Sequence, residues 1–320
     1  MVDVVALGEL LVDFTFNGRS ENGMRLFEQS AGGAPSNVLC ALSNLGLNTA
    51  FIGKVGNDMH GDFLRLTLEE KGVDTSGLIV SDNEFTTLAF VEISESGERR
   101  FSFARKPGAD TCLYESELNH ELLNSCNIFH FGAVSLSKNP ARTTNIVAVR
   151  EAKKAGAIIS YDPNYRASLW ESEGEAIEVM RSVLDLVDII KISDEEITLL
   201  TGLTSYKEAA DFLLTKGISC VVVTLGKNGA YAAVKGASVL VATPEVKVVD
   251  TTGAGDAFWG GFLYKLAKSN SSLTELSEAQ LKEFVTFANG VASLCIQKRG
   301  GIPAMPDMKT VTDFLAENYK

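Results

Sequence analysis

Residues 250–261 read DTTGAGDAFWGG, and the runs on either side decide what kind of fold carries them. Upstream, "VKVVD" (246–250) has the β-branched density of a strand; downstream, "AFWGGFLYKLAKS" (257–269) has the apolar run of a helix. Gly253 and Gly255 are therefore expected at a strand-to-helix turn. There the first backbone N–H groups lack partners, the positive end of the helix dipole is exposed, and glycine lets the chain approach an anion. Such a turn suits phosphate. It is not a Walker A loop, because no Gly-Lys-Ser/Thr follows, and Phe258 stands where a dinucleotide fingerprint would need its third glycine.

Working outward, the alternation of strand and helix recurs along most of the chain. "VDVVALGE" reads as a strand and "APSNVLCALSNLG" as a helix closed by Gly46. "TAFIGKVG" is the next strand and "HGDFLRLTLEEKG" the next helix, ending at Gly72. "NIFHFGAV", "ARTTNIVAVREAKKAG", "AIISYDPN", "VDIIKIS" and "SCVVVTLG" continue the cycle. Strands of unbroken Val, Ile and Ala imply burial on both faces, hence a mainly parallel α/β sheet covered by helices, in a chain long enough for one large domain or two small ones. The cycle breaks between about 77 and 105, where "TTLAFVEISESGERRFSFAR" (86–105) reads as two alternating strands joined by "SESGE", a β-hairpin. "LLVDFTFNG" (10–18) is a candidate for further strands of the same small sheet, and the hairpin is either an irregular edge or a lid.

Bulk properties set the outer limits. The 320 residues are 45% hydrophobic and 22% charged, ordinary for a soluble globular chain. A formal charge of −12 with no basic run argues against a nucleic-acid surface. Five scattered cysteines with no CxxC pair fit reduced thiols packed as small apolar residues, and three histidines at no ligand spacing give no metal pattern. "MVDVVALGELLVDF" lacks a basic start and carries Asp3, Glu9 and Asp13, so it reads as a strand and not a signal peptide; no apolar run is long enough to span a membrane. A cytoplasmic enzyme is the expectation.

Asp256 is the telling residue of the opening stretch. A site that only holds phosphate gains nothing from a carboxylate in its first turn, whereas a site that moves a phosphoryl group onto a hydroxyl needs a base beside the anion cradle. The plainer alternative is a capping aspartate after a tight turn. Three other stretches bear on the choice. "AGGAPSNVLCALSNLG" sets Gly32 and Gly33 before a helix whose first turn carries Asn37, an amide able to donate to and accept from a polyol, though the pair could also be a plain glycine turn. "GELLVDF" offers Asp13 beyond the first strand, where open α/β sheets place ligands. "VTLGKNGAYAA" ends a strand in Thr224, Gly226 and Gly229, a turn that could approach a nucleotide or simply start a hairpin.

With these stretches in view, the chain resembles the ribokinase-like (PfkB) carbohydrate kinases, and within them most the fructokinases. The resemblance runs through "GGAPSN" (32–37), "GKVGNDMHGDFL" (53–64), "TLGKNGA" (224–230) and "DTTGAGDAFWGGF" (250–262). It implies a single doubly wound α/β domain over residues 1–320 with a small β-sheet lid, from segments of about 11–30 and 77–105, that closes over a sugar and offers a homodimer contact. It implies Asp256 as the general base and Gly253, Ala254 and Gly255 as the anion hole. Asp13, Gly32, Gly33 and Asn37 match positions that hold sugar hydroxyls; Phe103, with Arg105 in "FARKPGAD" and Arg166 in "DPNYR", matches positions facing the sugar, surface ion pairing being the plain alternative for the arginines. Lys191, Ser193, Thr224, Gly226, Gly229 and Asn289 match the ATP side. Many members carry Asn-x-x-Glu where this chain reads Ser193-Asp194-Glu195-Glu196; Glu196 keeps the acidic position, acting on magnesium through water. Asp250 and Thr252 match the monovalent-cation site of some members, but Ala304 replaces a helpful serine, so potassium is an option only.

The resemblance thus implies ATP-dependent phosphorylation of D-fructose at O6, with Mg2+ bridging the β- and γ-phosphates. The nearest rival is 2-keto-3-deoxygluconate kinase, whose members share the two arginines but tend to carry lid tyrosines where this chain has Phe90 and Phe103. A ribokinase-type activity and a catalytically silent sugar-binding protein are more distant alternatives. A nicotinamide-dependent dehydrogenase is excluded by the missing three-glycine fingerprint after the first strand.

Overall fold

The computed structural model describes residues 2–93, 99–269 and 271–319. In chain order the strands are β1 (Val2–Leu7), β2 (Leu11–Arg19), β3 (Arg25–Gly32), β4 (Thr49–Gly56), β5 (Val73–Ser81), β6 (Leu88–Ile93), β7 (Arg99–Ala104), β8 (Cys126–Gly132), β9 (Ile158–Asp162), β10 (Ile189–Ser193), β11 (Cys220–Thr224), β12 (Ala230–Val234) and β13 (Ala237–Val241). The helices are α1 (Ala34–Asn44), α2 (Met59–Glu70), α3 (His120–Ser125), α4 (Ala141–Ala155), α5 (Glu173–Ser182), α6 (Ile197–Thr201), α7 (Tyr206–Thr215), α8 (Ala254–Lys268), α9 (Glu278–Cys295) and α10 (Met308–Asn318).

A nine-stranded sheet in the order β13-β12-β11-β10-β9-β8-β1-β4-β5 forms the centre. It is parallel from β5 to β11 and antiparallel only at the β11–β12–β13 edge. Alternate residues of each inner strand feed cores on opposite faces, as strand geometry requires. Val5, Leu7, Phe129, Phe131, Ile190 and Ile192 enter one core, while Val4, Ala6, Ile128 and Ile189 enter the other with α1, α8 and α9. This two-sided burial is why the strands read as unbroken apolar runs. All five cysteines are buried and unbridged. No helix among the described residues is long and apolar enough to cross a membrane.

A second, four-stranded sheet has the order β3-β2-β6-β7. Residues 77–81, expected from the sequence to belong to it, instead complete β5 of the large sheet. The "SESGE" turn of the hairpin lies outside the described residues. Asp13 pairs with Ala89 and Ala89 with Phe103, which sets Asp13 and Phe103 on one face. Phe90 is on the other face, stacked on Phe14 at 5.4 Å and edge-on to Phe27 at 5.9 Å, so of the two phenylalanines only Phe103 shares the face of Asp13.

One expected element is absent. "VKVVD" is not a strand: no regular structure runs from β13 to α8 among the described residues. Val248 and Val249 are 55% and 52% exposed, and the N–H groups of Val249 and Asp250 donate to the Ile296 carbonyl at the end of α9. A β-branched pair without a sheet face to bury against follows the loop that the helix end dictates.

Candidate active site

The N-terminus of α8 is fixed first by its turn. Gly253 adopts φ +76°, and a Cβ there would lie 3.0 Å from the Gly301 Cα, so both the left-handed backbone and the tight space exclude a larger residue. Asp250 closes the approach: its Oδ1 accepts from the Thr252 N–H (3.0 Å) and hydroxyl (2.8 Å), and its Oδ2 accepts from the Gly300 N–H (3.0 Å). Farther along α8, Gly260 lets α1 come so close that an added Cβ would stand 2.7 Å from the Ala41 Cβ. That crossing carries Asn37, in the first turn of α1, to Asp256, in the first turn of α8. The Asn37 Nδ2 donates to the Asp256 Oδ2 at 2.7 Å across 219 residues of sequence.

Asp256 is only 7% exposed. Burial pushes its carboxyl up from the usual 3.8 to about 6, the neighbouring Asp162 adds to the rise, and Lys191, the Asn37 amide and Arg166 oppose it. The result is a base that is ionised at neutral pH yet basic enough to take a proton, which is what proton transfer near pH 7 asks of a carboxylate.

Nothing in the sequence marks Asp162 and Lys191 as partners. Asp162 ends β9, Lys191 lies in the adjacent β10, and the two form a buried ion pair. The Lys191 Nζ stands 3.1 Å from where a Cβ on Gly255 would be. Lys191, expected along the nucleotide, is 5% exposed with its amine against the glycine turn. Two other carboxylates give no sign of their role in the sequence. Glu9, just past β1, accepts from the Ala34 N–H at 3.0 Å and packs its backbone carbonyl against Gly33. Burial raises its carboxyl to about 7 and its Oε2 has no hydrogen-bond partner. Asp110, inside the "KPGAD" stretch, binds Arg105 Nε at 2.8 Å and Nη2 at 2.7 Å. Arg105 also donates to the Ser137 hydroxyl at 2.9 Å, so this arginine is buried in an ion pair, whereas Arg166 is exposed at the surface.

The remaining residues lie at the same C-terminal edge of the parallel sheet, where open α/β folds bind ligands. Gly32 ends β3 against the Asp13 carboxylate, and Gly33 caps α1. Ser193 and Glu196 close a reciprocal cap: Glu196 Oε2 accepts from the Ser193 N–H (2.8 Å) and hydroxyl (2.9 Å), and its Oε1 accepts from the Tyr165 N–H (2.7 Å). Thr224, Gly226 and Gly229 form the antiparallel β11–β12 hairpin, with Thr224 opposite Ala230. Asn289 is buried and its amide donates to the carbonyls of Val241 (3.2 Å) and Ala242 (3.4 Å), anchoring the loop after β13. Among the described residues no group of three or more His, Cys, Asp or Glu could enclose a metal ion.

Comparison with known proteins gives the arrangement its family. The model of the pfkB family carbohydrate kinases matches residues 1–308. Fructokinase-1 of Zea mays is 41% identical over 306 residues, covering 95% of this chain and 94% of the relative. The crystal structure of a fructokinase with bound ATP from Xylella fastidiosa superposes with a TM-score of 0.90 at 31% identity, covering 99% of both chains. A fructokinase double mutant from Vibrio cholerae O395, in fructose, ADP and potassium ion bound form, superposes with a TM-score of 0.88 at 33% identity over 98% of both chains. The chain belongs to the pfkB family of carbohydrate kinases.

Proposed function

We propose that this sugar kinase transfers the γ-phosphoryl group of ATP to O6 of D-fructose. The observation that carries the reading is Asp256, a buried carboxylate at the start of α8 and beside the glycine turn, held by Asn37. The sugar's 6-hydroxyl lies against Asp256, which accepts its proton as the oxygen attacks the γ-phosphorus; the bond to the β–γ bridging oxygen breaks and ADP departs. The N–H groups of the Gly253, Ala254 and Gly255 turn would face the charge that develops on the transferring group, the Ala254 N–H giving up the 3.2 Å bond that it donates to the Thr251 carbonyl. Asp13, Gly32, Gly33, Asn37 and Phe103 bound the sugar, and exposed Arg166, whose Nη1 donates to the Tyr165 carbonyl at 3.0 Å, reaches it by exchanging that bond. Closure of the four-stranded sheet as a lid excludes water, the competing acceptor.

ATP lies along the sheet edge by Ser193, Thr224, Gly226 and Gly229, with Asn289 behind the adenine pocket. Magnesium would be held by the nucleotide phosphates, with Glu196 reaching it through water: the Glu196 carboxylate accepts three protein hydrogen bonds and keeps one further acceptor site on Oε1. When bound, the ion supplies charge neutralisation between the β- and γ-phosphates. At Asp250 and Thr252 a potassium ion would have to rely on backbone oxygens, since the Asp250 carboxylate is committed to its own turn. A second copy of the chain is the partner we expect on the small sheet, where Leu26, Phe27 and Phe90 are 47%, 36% and 37% exposed.

Comparing kcat/KM for fructose, ribose, 2-keto-3-deoxygluconate and fructose 6-phosphate tests the substrate. Fructose should lead by at least about tenfold, roughly 1.4 kcal/mol of transition-state binding. A lead of that size for another acceptor overturns the reading.

A further inference from the structure

The reaction assigned to Asp256 leaves unexplained why a lysine and an aspartate are buried together directly behind the anion-binding turn. Burying an ion pair costs desolvation that its mutual attraction seldom recovers in full, so the pair is not accounted for by stability. Its position is specific. The Lys191 amine and the Asp162 carboxylate are held on neighbouring parallel strands, 5% and 1% exposed, and the amine meets the backbone of Gly255, the residue before Asp256. Asp162 is held in turn by the Asn164 N–H, which donates to its Oδ1 at 3.1 Å. Glycine at 255 has no side chain to stand between the Lys191 amine and the turn, and all three charged groups are buried.

We propose that the buried Lys191–Asp162 pair is a positioning element for the base: Lys191 keeps Asp256 ionised, and Asp162 keeps it basic enough to accept a proton. The two act in opposite senses on one carboxylate, with Lys191 favouring its charged form and Asp162 opposing it. Other charged groups bear on the cluster. Arg166, from the loop after β9, favours the ionised Asp256, and Glu196, from the turn after β10, helps hold Lys191 protonated. His130, on β8, stays neutral beside Lys191 because burial lowers it to about 3, and Cys295, on α9, is kept a thiol by burial with Asp256 and Asp250 near it. Lys191 differs from these in that its amine lies against Gly255, next to the base.

The proposal rests on Asp256 being the base, and the experiment separates the two claims. The measurement is kcat/KM for fructose against pH in the full-length protein, for wild type, Lys191→Met, Asp162→Asn and the double variant, with thermal melting of each. The wild-type acidic limb should lie near pH 6. Lys191→Met should raise it by roughly one pH unit and Asp162→Asn should lower it by a similar amount, the usual effect of one charge a few ångströms away. The double variant should fall between them. If one single variant fails to melt cooperatively, the double variant, which leaves no unpaired buried charge, takes its place and must differ from the surviving one in the same sense. Limbs that coincide, or that move in one direction for both single variants, overturn the proposal. If the base reading itself is wrong, Asp256→Asn keeps wild-type turnover; if only this inference is wrong, Asp256→Asn is inactive and the limbs stay together.

Discussion

Replacing Asp256 with asparagine should make the protein more stable and less active at once. The buried carboxyl is raised from 3.8 in the unfolded chain to about 6 in the folded one. A folded-state value above the unfolded one means that folding favours the protonated form. The stability this confers is full below about pH 4 and is lost as pH rises through 6. At pH 8 the ionised Asp256 therefore costs the fold about 3 kcal/mol, since each pH unit between the two values is worth about 1.36 kcal/mol. Asparagine is nearly isosteric, can still accept from Asn37 through its Oδ1, and removes that cost. For 320 residues the melting temperature at pH 8 should rise by roughly 4 °C, and the gain should vanish near pH 4. Turnover should fall by about 10²–10⁴-fold, the contribution of a positioned base. Calorimetry at the two pH values and a coupled ADP assay measure both effects. A variant less stable than wild type at pH 8, a gap independent of pH, or turnover within tenfold of wild type would refute the reasoning.

Three further outcomes follow from the same geometry. Asn37→Ala should lower kcat/KM by roughly 10- to 100-fold and move its acidic limb to higher pH, because the 2.7 Å bond that favours the ionised Asp256 is lost; an unmoved limb in a pH series would deny Asn37 that part. Gly253→Ala should lower stability by about 1–2 kcal/mol or more, since its φ of +76° strains any L side chain and the Gly301 backbone is in the way; denaturant titration gives the cost, and a neutral substitution would mean that the turn is not as rigid as drawn. Chelation of divalent cations should abolish turnover, reversibly with Mg2+, while leaving the melting temperature unchanged, because the Glu196 oxygens are already satisfied by protein donors; a chelator-induced drop in melting temperature would instead indicate a structural metal.

The parts of this molecule that show in the sequence are those whose cause is local or periodic. Strands buried on both faces display themselves as apolar runs, so "TAFIGKVG" coincides with β4 residue for residue. The glycine turn before Asp256 is legible because only particular backbone angles and spacings suit an anion. The same logic misreads "VKVVD", whose β-branched residues match a strand but whose exposure depends on where α9 ends. Pairings between distant residues leave no trace in one sequence. Asn37 and Asp256 are 219 residues apart, and Asp162 and Lys191 are 29 apart, joined only because β9 and β10 lie side by side. Arg105 and Asp110 are close enough in the chain to have been paired, and Glu9 sits beside the first strand's ligand-binding end, yet nothing local announces that either carboxylate is buried. Burial belongs to the assembled fold, and the electrostatics of the site come from burial.

The central claim is a matter of distance, and a crystal structure with fructose and a non-hydrolysable ATP analogue measures it. We expect one Asp256 oxygen within about 2.6–3.2 Å of the fructose O6, in line with the γ-phosphorus. An Asp256 carboxylate turned to solvent, or a sugar that presents a different hydroxyl to it, would contradict the account.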